Sequence, residues 1–135
     1  MRNKLFTVEE ANAFLHFLEE SLNIIQAKTM RVRTLDERVS VLSLVSESGA
    51  SPENPDVLEY EEKKEELNRL VGEIDQEIKA ILDRGCLIKD LKQGLIDFYW
   101  VREGEVVFLC WKKGEKEIGF WHTLEGGFAG RKALK

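Results

Sequence analysis

Cysteine is scarce in this 135-residue chain: it has Cys86 and Cys110, neither in a Cys-x-x-Cys pair. That excludes a disulfide framework and a zinc ribbon, and leaves two reduced thiols as the expectation. Proline is confined to Pro52 and Pro55, and no glycine occurs before Gly49. The usual helix breakers are therefore missing from the first third of the chain. No apolar run approaches the ~18 residues a membrane helix needs. The basic start Met1-Arg2-Asn3-Lys4 imitates a secretory leader, but Glu9 and Glu10 interrupt the apolar stretch that should follow. A cytoplasmic protein without a secretory signal is expected. Basic charge is also in deficit. The net charge is −5, and residues 1–85 carry 11 Lys+Arg against 18 Asp+Glu, while residues 86–135 carry 9 against 7. An acidic front region argues against nucleic acid as a partner, because phosphate neutralisation needs a basic face.

What is present divides by periodicity. Thr7 and Glu10 make a Thr-x-x-Glu capping box, with Phe6 just before the cap. Leu18, Ile25, Val32 and Val39 then recur every seven residues, flanked by Leu15 and Leu22 early and by Leu35 and Leu42 later. The spacing predicts one uninterrupted helix from about Val8 to Ser46, roughly 55–60 Å long at ~1.5 Å per residue. Residues 46–54 read as a loop by composition. Asn54 suits a helix N-cap and Pro55 the first helical position. The second seam is read as Val57, Tyr60, Lys64, Leu67, Val71, Ile74, Ile78 and Ile81, a coiled-coil-like heptad ending at Gly85. Two long helices on a short loop make an antiparallel hairpin, residues 1–85. Such a pair buries one stripe on each helix, so a homodimer or higher homo-oligomer through the helices is expected.

Beyond Gly85 the period becomes two. Cys86–Lys89, Leu95–Arg102, Val106–Lys112 and Glu117–His122 read as strands, with Glu103-Gly104 as a two-residue hairpin turn. That turn pairs Arg102 with Glu105, Trp100 with Val107, Phe98 with Leu109 and Asp97 with Cys110. One face then carries Ile96, Phe98, Trp100, Val107, Leu109 and Trp111 and should pack on the helices. The other carries Asp97, Tyr99, Val101, Val106, Phe108 and Cys110, and must be covered by the tail, a second subunit or a ligand. Residues 86–135 are thus a small antiparallel β-meander with a Gly-rich C-terminal tail, and the chain as a whole is α+β.

A three- or four-residue loop around Gly114 sets Cys110 opposite Ile118 or Gly119, which keeps it from His122; no joint site of the two is expected. Asp97 should cap backbone donors of the tail, with a hydrogen bond from a ligand above Gly119 as the alternative. Arg131 should pair with a carboxylate such as Glu115 or Glu125, with an anion site beside His122 and the glycines as the alternative. Trp100, Trp111 and Trp121 read as core more than as a base-stacking platform.

The segments Gly94–Phe98, Leu109–Trp111, Gly114-Glu115, Ile118, Trp121-His122 and Gly127–Arg131, with the opening Lys4–Ala13, resemble an uncharacterised prokaryotic family, domain of unknown function 2203. The likeness spans the chain, though the helical middle matches only in character. It implies no activity, substrate or cofactor. Its motif positions coincide with the candidate ligand- or partner-binding residues Asp97, Cys110, Trp111, Glu115, His122, Gly127 and Arg131. No catalytic residue, metal ligand or cofactor is assigned. The leading expectation is a non-catalytic oligomerisation or protein-interaction module, with an unknown protein or small molecule at the sheet. The alternative is a small-molecule, anion or metal-binding protein or enzyme with its site on the C-terminal sheet.

Overall fold

The computed structural model describes residues 4–135. Its element order is α1 (Val8–Ala13), α2 (Leu15–Glu47), α3 (Pro55–Asp83), β1 (Leu87–Asp90), β2 (Leu95–Arg102), β3 (Glu105–Lys112), β4 (Phe120–His122), a 3-10 turn at Phe128–Gly130, and β5 (Lys132–Ala133). The architecture is α+β: long paired helices, then a five-stranded antiparallel sheet in the order β1-β2-β3-β4-β5. Among the described residues, no helix is long and apolar enough to cross a membrane. Two compact units are distinguishable, Met1–Asn23 with Ile78–Lys135, and Ile24–Glu77.

In the first unit, the capping box forms as its sequence requires. Thr7 Oγ1 accepts from Glu10 N–H at 3.0 Å, and Glu10 Oε1 accepts from Thr7 N–H at 2.9 Å. The first helix is not continuous, however. The backbone tightens at Phe14, whose N–H bonds the Ala11 carbonyl three residues back at 3.1 Å. The Phe14 ring meets Phe6 edge-on at 5.7 Å, and Phe6 in turn meets Phe98 at 5.1 Å. No proline or glycine marks this break; ring packing accompanies it.

The residues ahead of α1 also finish the sheet. Phe6 N–H donates to the Tyr99 carbonyl at 2.8 Å, and Leu5 bridges Tyr99 in parallel, just past the end of β1. Gly85 makes the close approach possible: its φ is +89°, and a Cβ there would fall 2.8 Å from Lys4 Cβ.

The β2–β3 register is the expected one, residue for residue from Arg102↔Glu105 to Asp97↔Cys110. Glu103 at φ 52° and Gly104 at φ 80° form the tight turn, whose twist suits the flanking strands. Ile96, Phe98, Val107, Leu109 and Trp111 are buried on one face. The strand expected over Glu117–His122 is shorter: β4 begins at Phe120, and the tail adds β5, pairing Phe120↔Ala133 and Trp121↔Lys132.

In the second unit α2 and α3 run antiparallel. Arg31 grips Glu66 with two bonds of 3.0 and 3.1 Å, Arg38 grips Glu59 at 2.8 and 2.7 Å, and Lys28 reaches Glu73 at 2.9 Å. The α3 seam keeps Val57, Tyr60, Leu67, Ile74, Ile78 and Ile81 on the covered side as expected, and departs from the expected stripe at two positions. Leu70 is buried and Lys63 half-buried, while Val71 and Lys64 are exposed. There Lys63 and Leu70 replace Lys64 and Val71, on the side that also sets Glu59, Glu66 and Glu73 against the cations of α2. Asn54 caps α3, its Oδ1 accepting from Asp56 N–H at 2.8 Å.

Candidate functional site

The sheet face carrying Asp97, Tyr99, Phe108 and Cys110 is where ionisable groups become buried. Asp97 sits on β2 and Cys110 opposite it on β3. On β4, His122 lies opposite Phe108 and Phe120 opposite Cys110. Alternation therefore brings His122 onto the same face, one diagonal step from Cys110. This corrects the expectation that Cys110 and His122 are kept apart. An Asp97 oxygen, Cys110 Sγ and a His122 ring nitrogen all lie within 4.8 Å of one another, and all three residues are buried.

The cause is a single residue of register. A four-residue loop would put Cys110 opposite Gly119; the observed partner is Phe120, and a one-residue slip moves every side chain of a strand to the other face. The 113–119 connection takes up the difference through its own bonds. Lys112 N–H donates to Glu115 Oε1 at 2.7 Å, the Trp111 indole N–H to the Glu115 carbonyl at 2.9 Å, and Ile118 N–H to Asn12 Oδ1 at 2.7 Å. Arg131 clamps the same Glu115 with two bonds of 3.1 and 2.8 Å, as its expected pairing required. The guanidinium also stacks on Phe120 at 3.9 Å and Phe128 at 4.4 Å. Glu115 and Arg131 thus hold the loop and tail in place. Trp111 is fully buried on the opposite face.

Asp97 does not cap the tail backbone as expected. Its Oδ2 lies 2.9 Å from His122 Nε2. His122 Nδ1 is 2.6 Å from the Thr123 carbonyl, which accepts only, so Nδ1 carries a hydrogen. With Nδ1 protonated, a neutral imidazole presents a lone pair at Nε2, facing a carboxylate oxygen. One proton must therefore be shared between Nε2 and Oδ2, or another cation must stand there. The other oxygen, Oδ1, is buried with no hydrogen-bond partner of ordinary geometry, and the Cys110 thiol also interacts with this carboxylate. Burial pushes the Asp97 carboxyl up from its ordinary value, against the opposing pull of His122. Burial, reinforced by the Asp97 charge, pushes the Cys110 thiol up to about 12, with Arg131 acting the other way. The free thiol is protonated at neutral pH and is a poor nucleophile.

A recess of about 290 Å³ opens over these groups, lined by Lys89, Asp97, Cys110, His122, Gly127 and Phe128 among others. The tail from Leu124 to Phe128 forms its rim. Of the candidate residues, Asp97, Cys110, His122 and Gly127 come together here; Trp111, Glu115 and Arg131 do not line it. Lys89 and Phe128 do, and neither was singled out from sequence as a lining group. The signal for Lys89 was the β1–β2 pairing, Leu87↔Asp97, two residues away on the same strand. A larger recess of about 350 Å³ lies beside Thr7 and Trp100, but the polar groups of Thr7 and Glu10 there are occupied by the capping box.

No curated protein and no solved structure matches the chain. Residues 4–134 match the model of an uncharacterized conserved protein family, DUF2203, and the chain belongs to that family.

Proposed function

We propose that the chain is a non-catalytic binding protein, holding a small polar ligand in the recess between the sheet and the C-terminal tail. The observation that carries this reading is Asp97 Oδ1, buried at the recess without a hydrogen bond of ordinary geometry. A buried acceptor left unsatisfied costs about 1–3 kcal/mol, and a ligand hydroxyl or ammonium recovers that cost. The volume of about 290 Å³ suits a metabolite-sized molecule. Binding is favoured over covalent catalysis because the Cys110 thiol is held protonated. Two buried, unpaired thiols support a reducing, cytoplasmic setting.

The test is a thermal-shift and ligand-observed NMR screen with polyols, amines and amino acids, on wild type and on Leu124→Trp. Leu124 is exposed on the rim, so the larger ring plugs the recess without entering the core. Binding by wild type and loss in Leu124→Trp is the expected pair of results. Binding that survives the plug, or no binding by any compound, refutes the site.

A second reading concerns the helices, which we infer act as an assembly surface for another copy of this chain. Met30, Val41 and Leu44 are 57–69% exposed on α2 and fall on one outer stripe, distinct from the buried seam of Leu35 and Leu42. An exposed apolar stripe on a helix is a surface that a second helix can cover. Light scattering of wild type against a Met30→Ser, Leu44→Ser double variant decides it; an unchanged monomeric mass in both removes this reading.

A further inference from the structure

Resting on the binding reading above, we propose that Asp97, Cys110 and His122 form a mononuclear site for a divalent cation of the zinc class, with one coordination position open to the recess. The three residues supply one oxygen, one sulfur and one nitrogen donor within 4.8 Å of one another. A tetrahedral zinc site with such donors spaces them roughly 3.3–3.7 Å apart, so closure from the 4.8 Å bound needs a shift of at most about 1.5 Å, within reach of side-chain adjustment. Hard cations such as magnesium and calcium take oxygen donors almost exclusively, whereas a thiolate with an imidazole selects the softer first-row ions.

Three independent features favour a cation here over a purely structural contact. First, His122 is oriented as a ligand. Its Nδ1–H is held by the Thr123 carbonyl, and that outer bond turns the Nε2 lone pair toward Asp97, the arrangement by which metal-bound histidines are fixed. Second, Asp97 Oδ1 is buried and without a hydrogen-bond partner of ordinary geometry, so the carboxylate has spare donor capacity. Third, the donors come from three adjacent strands, β2, β3 and β4, whose register holds them without any flexible loop. On binding, the cation replaces the proton shared by Nε2 and Oδ2 and displaces the thiol proton; both protons pass to solvent. Coordination removes the barrier that burial sets against the thiolate, since the ion is then the largest local charge. The remaining position faces the recess, where a ligand carboxylate, hydroxyl or water completes the shell. Lys89, on the recess wall, favours an anionic ligand group.

The experiment uses full-length protein stripped with chelator and titrated with cobalt(II) alone. Expected are one equivalent bound, a thiolate-to-cobalt charge-transfer band in the near ultraviolet, and displacement by zinc. Cys110→Ala must lose the band while keeping the wild-type circular dichroism; Asp97→Asn, isosteric and fold-preserving, must weaken uptake. No cobalt uptake by wild type, or an undiminished band in Cys110→Ala, overturns the proposal. If the stripped protein takes up no cobalt but still binds a screened compound in a manner that Leu124→Trp abolishes, the cation falls and the ligand site stands. Cobalt uptake without any such compound bound supports the cation site while removing the metabolite.

Discussion

Residues 24–77 and the sheet-bearing remainder of the chain are stabilised by different means. Within 24–77 the buried apolar side chains are Ile25, Leu35, Leu42 and Leu70, and the two helices are joined by Arg31–Glu66, Arg38–Glu59 and Lys28–Glu73. These pairs are largely solvated, and such pairs contribute little individually. In the other unit, Phe98, Leu109, Trp111, Ile96 and Ile81 are sealed from water, and the ion-pair-like contact Asp97–His122 is buried on both sides. The difference teaches that net charge on the surface and chemistry in the interior have been kept apart. Solvated pairs set the alignment of the helices, while the buried pair sits where a ligand can reach it.

The largest break in this contrast comes from the core. Trp111→Ala should cost about 3–5 kcal/mol by removing a fully buried indole and its bond to the Glu115 carbonyl. Urea denaturation measures it, and a loss below that of any helix-pair variant would reverse the comparison. Next is His122→Ala, which leaves Asp97 without its partner. A loss of about 3 kcal/mol at neutral pH is expected, shrinking in acid. The sign follows from the raised Asp97 value. A carboxyl whose folded value lies above its unfolded 3.8 contributes stability below that unfolded value and loses it as pH rises through the folded one. A cost in His122→Ala that does not diminish on acidification contradicts the buried-carboxylate account.

Smaller, and confined to the helices, is the test of their facing. Leu70→Ala should cost about 2 kcal/mol, whereas Val71→Ala should be nearly silent, because Leu70 is buried and Val71 is 43% exposed. Equal costs would restore Val71 to the seam, where the sequence placed it. The smallest effect is that of acid on the solvated pairs. Glu59, Glu66 and Glu73 are held below the ordinary value of 4.5 by hydrogen bonds from Arg38, Arg31 and Lys28. Their contribution is complete above the unfolded value and disappears as pH falls through the depressed folded one. Hydrogen exchange followed from neutral pH downward should therefore show the helix amides losing protection while the amides around Asp97 do not. Simultaneous loss in both sets would merge what is separated here.

The parts of the fold legible in the sequence are those decided within a few residues. The Thr7–Glu10 box, the Asn54-Pro55 start and the Glu103-Gly104 turn each close on neighbours in the chain. The turn dictates the whole β2–β3 ladder, and so placed Asp97 against Cys110 in advance. The parts that were not legible depend on distant partners. The β3–β4 register rests on bonds from Ile118 to Asn12 and from Arg131 to Glu115, and the α3 facing at Lys63 and Leu70 goes with cations some twenty to forty-five residues from their glutamates. The break at Phe14 depends on rings from residues 6 and 98. The candidate site inherits this limit. Asp97, Cys110 and His122 were among the residues singled out, but their convergence turned on the β3–β4 ladder.

The 113–119 connection consequently behaves as an odd-or-even counter. Deleting or inserting a single residue there would present His122 to the wrong side of the sheet while Asp97 and Cys110 stayed where they are. A change of two would restore the side and shift the imidazole by one step along its strand. Length variation in this segment should therefore be tolerated in pairs and punished in singles, a rule about arithmetic rather than about which amino acids occupy the loop.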